Sequence, residues 1–90
     1  MLLISHRGNV DGIDESLEND PLYVTHAIHK GYDCEVDLWR LNDKYYLGHD
    51  EPKYEIDTNF LGLYSDHLWV HCKNMEALCY MNRWLYEDMN

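Results

Sequence analysis

Asp33-Cys34-Glu35-Val36-Asp37-Leu38-Trp39 is the stretch around which this chain is organised. Residues two apart on a β-strand point to the same face, so Glu35 and Asp37 share one side while Cys34, Val36 and Leu38 line the other. Two neighbouring carboxylates repel each other and resist leaving water. In apolar surroundings they need protonation, cationic partners or a metal, and a hard divalent cation is the simplest partner for such a pair. The alternative is an edge strand whose carboxylates are solvated.

The chain has 90 residues, enough for one domain spanning 1–90. A chain of this length buries about 60 to 65% of the surface its unfolded form exposes, so its stability margin is thin. A hydrophobic content of 46% with three Trp and eight Tyr argues against disorder. Seventeen acidic against seven basic residues give a formal charge of −10, which disfavours nucleic acid and anionic membranes and favours cations. No basic leader followed by an apolar run opens the sequence, and no apolar segment is long enough to span a bilayer; the expectation is a soluble, cytoplasmic protein. Cys34, Cys72 and Cys79 form no CxxC pair and read as reduced thiols.

Leu2-Leu3-Ile4-Ser5 reads as a buried strand that stops at Ser5-His6-Arg7-Gly8. Residues 9–18 are polar and aperiodic, as in a surface loop. Asp20-Pro21 predicts a capped helix over about 21–30, ended by Gly31 and packing through Leu22, Val24, Ala27 and Ile28. The carboxylate strand extends to a turn at Asn42-Asp43, and Lys44–Leu47 returns as a hairpin arm closed by Gly48-His49-Asp50. Residues 51–56 read as loop, and Asp57 caps a short helix from Thr58 to about Leu63. His67–Lys73 has strand character, with Trp69, His71 and Lys73 on one face. Asn74 then caps a helix over about 75–86, with Met75, Leu78, Cys79 and Trp84 or Leu85 as its buried residues. His26 and His29 read as a solvated helix face, and Trp39 and Trp69 as core.

This order implies α/β architecture with parallel strands joined by crossover helices, in which function gathers at the carboxyl ends of the strands. His6, Arg7, Glu35, Asp37, His49, His71 and Lys73 all fall near strand ends or on one strand face.

Four motifs in order, His6-Arg7-Gly8, Glu18-Asn19, Glu35-Val36-Asp37 after Gly31-Tyr32-Asp33, and Gly48-His49-Asp50, resemble the N-terminal signature of the glycerophosphodiester phosphodiesterases. The resemblance covers roughly residues 4–74. It implies the first three or so units of a TIM (β/α)8 barrel, with a hairpin after the second strand and a divalent metal at the strand ends. By the same resemblance His6 and His49 are the general acid/base pair, Arg7 and Lys73 bind phosphate, and Glu18 and Asn19 shape the edge of the site. Glu35 and Asp37 are implied metal ligands. His71 stands where that family usually has a glutamate, and is the weaker third ligand. The implied cation is Mg2+ or Ca2+, with Mn2+ or Zn2+ brought into range by the imidazole.

That chemistry is coherent on its own terms. A phosphodiester anion repels nucleophiles, so cationic groups must neutralise the charge on its non-bridging oxygens. Imidazole can take a proton from the attacking hydroxyl and return one to the leaving alkoxide.

A complete barrel takes about 250 residues. An open sheet of this length leaves strand edges unpaired, which invites association. The expectation is self-association, or a place within a longer chain. Two other functions remain open on sequence grounds: an inactive, truncated relative serving as a metal-binding or assembly module, and an acidic interaction protein with solvated His and acid residues.

Overall fold

The computed structural model describes the backbone of residues 3–88 and the side chains of residues 3–82. In chain order its elements are β1 (Ile4–His6), α1 (Pro21–His29), β2 (Asp33–Leu41), β3 (Lys44–Leu47), β4 (Tyr54–Ile56), α2 (Thr58–Leu63), a 3-10 turn (Ser65–His67), β5 (Leu68–Cys72) and α3 (Met75–Asp88). They form a mixed α/β domain with an open five-stranded sheet and three α-helices.

β2 is the hub. Its first part pairs in parallel with β1 (His6 opposite Glu35) and with β5 (Glu35 opposite Trp69, Asp37 opposite His71). Its last four residues pair antiparallel with β3, which in turn pairs with β4. The hairpin turn places Asn42 and Asp43 at φ 51° and 64°, the left-handed backbone that a two-residue turn requires and that Asn and Asp tolerate. Along β2 the backbone groups alternate sides. The Glu35 carbonyl accepts from the Arg7 N–H (2.8 Å) and the Asp37 carbonyl from the Gly48 N–H (3.1 Å), whereas the Leu38 carbonyl accepts from Lys73 (2.8 Å) on the opposite edge. β1 and the β3 hairpin therefore lie end to end along one edge of β2, and β5 occupies the other.

The helices cover the face carrying Cys34, Val36 and Leu38, all three fully buried, with Val24 and Ala27 of α1, Leu61 of α2 and Ala77 of α3 in the same core. Period-two alternation on β2 thus separates an apolar face from the Asp33/Glu35/Asp37 face as expected. α1 begins at Asp20, whose carboxylate accepts from the Leu22 N–H at 2.9 Å, with Pro21 at its first position. Asp57 caps α2 in the same way through the Phe60 N–H.

Several expectations are corrected. Residues 54–56, read as loop, form β4 because Tyr54 and Ile56 find a paired edge in β3. β1 is an edge strand in which only Ser5 is buried; Ile4, and Leu3 just before the strand, are exposed, with no strand beyond them among the described residues. Leu22 projects from the first turn of α1 into solvent, and α1 packs through Val24 and Ala27. In α3, Met75, Leu78 and Cys79 are exposed, and Ala77, Tyr80 and Met81 turn inward at i, i+3 and i+4. The side chains of Trp84 and Leu85 lie outside the described residues. Trp69, expected in the core, is half exposed. His67 closes the 3-10 turn, one residue before β5. Among the described residues no helix is long and apolar enough to cross a membrane.

Candidate functional site

The site is built on the polar face of β2 at the end where β1 and β5 finish. Asp37 is fully buried. Its Oδ2 lies 2.9 Å from Arg7 Nε, an ion contact without hydrogen-bond alignment, and accepts from Asn19 Nδ2 at 2.9 Å. Its Oδ1 lies 3.2 Å from His71 Nδ1. The Asn19 Oδ1 in turn accepts from the Asp37 N–H at 2.9 Å, and the Asn19 N–H donates to the Arg7 carbonyl at 3.0 Å. Asn19 thus fills the gap between β1 and the hairpin, supplying from a side chain the bonds a strand would have made. A carboxylate out of water needs such partners, and here one cation, one amide and one imidazole surround it.

Arg7 and Asn19 have left-handed backbone, φ 58° and 67°. For Arg7, which follows the end of β1, this bends the chain so that the guanidinium returns over Asp37. Arg7 Nη1 also reaches Glu18 Oε1 at 3.3 Å, and Asn9 Nδ2 donates to Glu18 Oε2 at 3.1 Å. Asn9 is held through its Oδ1 by the Tyr23 hydroxyl at 3.0 Å. The Tyr23 hydroxyl is pushed above its ordinary pKa, first by burial and then by the carboxylates of Asp14, Asp11 and Glu18, so it stays a donor.

His49 reaches the site through Gly48. The Gly48 N–H bonds Asp37, and its carbonyl accepts from Trp39 Nε1 at 2.7 Å. A Cβ at Gly48 would overlap the Glu51 carbonyl, so only glycine allows the chain to fold back here. His49 Nδ1 pairs with Asp50 at 2.8 Å. Arg7, Glu18, Asn19, His49 and Lys53 line one cleft of about 330 Å³, together with Glu15, Asp50 and Glu51.

Two residues along from Asp37, Glu35 lies on the same face with its side chain 43% exposed, Oε1 3.3 Å from His6 Nε2 and Oε2 without a hydrogen bond or ion pair among the described residues. His71 is 61% exposed; in the tautomer whose Nδ1–H donates to the Asp37 carboxylate, the free lone pair is on Nε2. Glu35 and His71 therefore have donor atoms open to a divalent cation, whereas both Asp37 oxygens are engaged. Among the described residues no group of three or more His, Cys, Asp or Glu side chains is drawn together closely enough to hold a metal ion. Lys73 follows the end of β5, and its ammonium makes no hydrogen bond or ion pair among the described residues. At the far end of the face, Asp33 accepts from Trp69 Nε1 at 3.2 Å and lies 3.1 Å from His67 Nδ1. On the apolar side, burial pushes the Cys34 thiol above its ordinary pKa, partly offset by the Ser5 hydroxyl at 2.9 Å; burial likewise raises Cys72.

Of the residues singled out from sequence, Arg7, Glu18, Asn19 and His49 share the cleft, Asp37 and His71 join Arg7 beneath it, and His6 pairs with Glu35 beside it. Lys73 joins neither group. Glu15, Glu51 and Lys53 were not foreseen at the cleft; Glu15 lies within the 9–18 loop and carried no positional signal, while Glu51 and Lys53 follow closely on the hairpin arm that ends at Gly48-His49-Asp50. The Trp39 indole, read as core, instead pins the Gly48 peptide. No protein-family model, curated protein or solved structure matches this chain.

Proposed function

We propose that the chain is a phosphodiesterase related to the glycerophosphodiester phosphodiesterases, its open sheet corresponding to the first three β/α units of their barrel. The observation that carries this reading is the meeting of Arg7, Glu18, Asn19 and His49 in one cleft directly above Asp37, with the His6–Glu35 pair alongside. The substrate is a small phosphodiester, with Arg7 directed at its phosphate. One of His6 and His49 accepts the proton of the attacking hydroxyl as the O–P bond forms, and the other donates a proton to the leaving alkoxide as the second P–O bond breaks. When the attacker is a neighbouring hydroxyl of the substrate, the product is a cyclic phosphate that water opens by the same exchange in reverse. Asp37 and Glu18 fix the guanidinium, and Trp39 with Gly48 fixes the backbone that presents His49. The cleft lining holds four carboxylates against Arg7 and Lys53, so an anionic substrate meets net repulsion. A divalent cation bound at Glu35 would supply the missing positive charge and stabilise the non-bridging oxygens.

The test is hydrolysis of glycerophosphocholine and of an activated aryl phosphodiester by the purified chain, with magnesium, manganese, calcium or zinc and with a chelator. Turnover abolished by chelator, His6→Ala and His49→Ala is the expected result. Absence of turnover from folded protein under every metal would overturn it. A second reading, an assembly module, is favoured by the exposed Ile4 on β1 with Leu3 just before it, and the exposed Trp69 on β5, at the two outer edges of the parallel strands. It predicts a solution mass above the 10.8 kDa of one chain by light scattering, and a strictly monomeric mass removes it.

A further inference from the structure

We infer that two copies of this chain associate through the outer edge of β5, their Leu68–Cys72 strands pairing antiparallel about a two-fold axis at Val70. The inference rests on the assembly reading above and deepens it by naming the partner, the edge and the register. It does not depend on catalysis.

Among the described residues, β1, β4 and β5 each have one side without a strand partner, and two of these edges are guarded. β1 has three residues, and its His6 carbonyl accepts from the Asn9 N–H at 3.1 Å, so the loop that follows already covers part of the edge. β4 also has three residues, with the charged Glu55 at its centre. Short strands, charge and a covering loop are the devices by which sheets discourage edge pairing. β5 has five residues, Leu68-Trp69-Val70-His71-Cys72, with no proline, carboxylate, ammonium or guanidinium among them.

The backbone sets the register. The Lys73 N–H bonds to the Leu38 carbonyl, and a parallel ladder alternates, so the peptide groups of Trp69 and His71 point toward β2. Those of Leu68, Val70 and Cys72 point outward. In an antiparallel pair centred on Val70, Leu68 faces Cys72 of the second copy and Val70 faces Val70, so each outward N–H meets an outward carbonyl. A slip of one residue would oppose side chains from different faces of the sheet. A slip of two would leave Leu68 or Cys72 unmatched.

The side chains agree with this register. On the helix-covered face, Leu68, Val70 and Cys72 line a groove of about 530 Å³ with Leu61, Leu78 and Met81, and no charged residue lines it. In a chain of net charge −10, two copies can approach here without opposing their carboxylates. Leu78 is an exposed apolar side chain on α3 that the second copy covers. On the other face, the exposed Trp69 falls opposite His71 of the second copy in a non-hydrogen-bonded pair, the closer kind, where aromatic side chains stabilise strand pairing. The two-fold makes this contact twice and closes the assembly at a pair, whereas β5 against β1 would be head-to-tail. The groove has nine lining residues, against about 20 to 30 a side in a standard interface, which sets the affinity in the micromolar range.

The test is sedimentation of the purified chain from about 1 to 200 μM, with amide hydrogen exchange followed by NMR at both ends of that range. The mass is expected to rise from 10.8 kDa to twice that value. Exchange at the Leu68, Val70 and Cys72 amides is expected to slow with concentration by about tenfold more than at Trp69 and His71, which already bond to β2. Val70→Cys, in a background of Cys72→Ala and Cys79→Ser, is expected to form a disulfide dimer under mild oxidation, because opposed Cα atoms about 5.5 Å apart lie in the bridging range. Trp69→Lys puts a charge on the edge while keeping a partner for Asp33, and is expected to weaken the dimer by about tenfold or more. A monomeric mass throughout overturns this inference and the assembly reading together. A doubled mass with unprotected outward amides, or without the Val70→Cys cross-link, overturns the β5 edge alone and leaves assembly to another surface. Protection of those amides in a monomer would show the edge covered from within the chain and overturn the second copy as its occupant. Should Val70→Cys not fold, amide exchange of the unaltered chain decides.

Discussion

Asp37 and Glu35 stand two residues apart on one face of one strand, yet one is fully buried and gripped by three side chains while the other is half exposed and touches a single imidazole. The difference lies at the strand's edge. Opposite Glu35, β1 still pairs with β2. One step further β1 has ended, and the chain closes the opening with Arg7 and Asn19, both turned into left-handed backbone to do so. Asp37 is thereby a structural carboxylate and Glu35 an available one. Identical chemistry on the same face acquires two roles from where its neighbour strand stops.

Removing the buried acid is the strongest way to break this contrast. Asp37→Ala leaves Arg7 beside an empty position, and unfolding by urea should show a loss of about 3–5 kcal/mol, as for a buried pair stripped of one partner. Asn19→Ala removes two hydrogen bonds to Asp37 and strands its N–H, with an expected loss of about 1–3 kcal/mol. Asn19→Gly should lose nearly as much, because relief of the left-handed backbone does not restore the amide. Glu35→Gln should change stability by no more than about 1 kcal/mol, since the His6 contact is exposed, while abolishing metal-dependent turnover; a loss of stability equal to that of Asp37→Ala would erase the distinction. The smallest effect is expected at the hairpin. There Asp43→Gly should stabilise by a few tenths to about 1 kcal/mol in thermal unfolding, because glycine adopts φ 64° without a steric cost and the exposed Arg40–Asp43 pair it gives up contributes little.

The sequence made the two faces of β2 legible because period-two alternation is local. It also made legible the caps at Asp20 and Asp57 and the Asn42-Asp43 turn, since each is written in residues adjacent to the feature. It left open whether the carboxylates were buried or solvated, and the structure shows that both answers hold, one for each residue. That outcome depends on Asn19, which is 18 positions from Asp37 in the chain and carries no periodic signal. β4 escaped notice because its three residues become a strand only through the edge β3 offers. The phase of α3 was misjudged because its apolar residues occur on more than one side, and contact with the sheet selects Ala77, Tyr80 and Met81. The gathering of Arg7, Glu18, Asn19 and His49 followed from their placement after strands or before a helix. Lys73, placed by the same reasoning, stays apart from their cleft.

Closing the edge of β2 with an amide has a consequence for how the chain can change. The segment between Asn9 and Glu18 is a replaceable cassette with fixed mounting points: its tip around Asp11, Gly12 and Ile13 is exposed, and a Cβ at Gly12 would meet nothing. Insertions there lengthen a surface loop at small entropic cost. Deletion of Glu18 or Asn19 would instead remove part of the mount itself, uncoupling the helix that follows from the strand that precedes it.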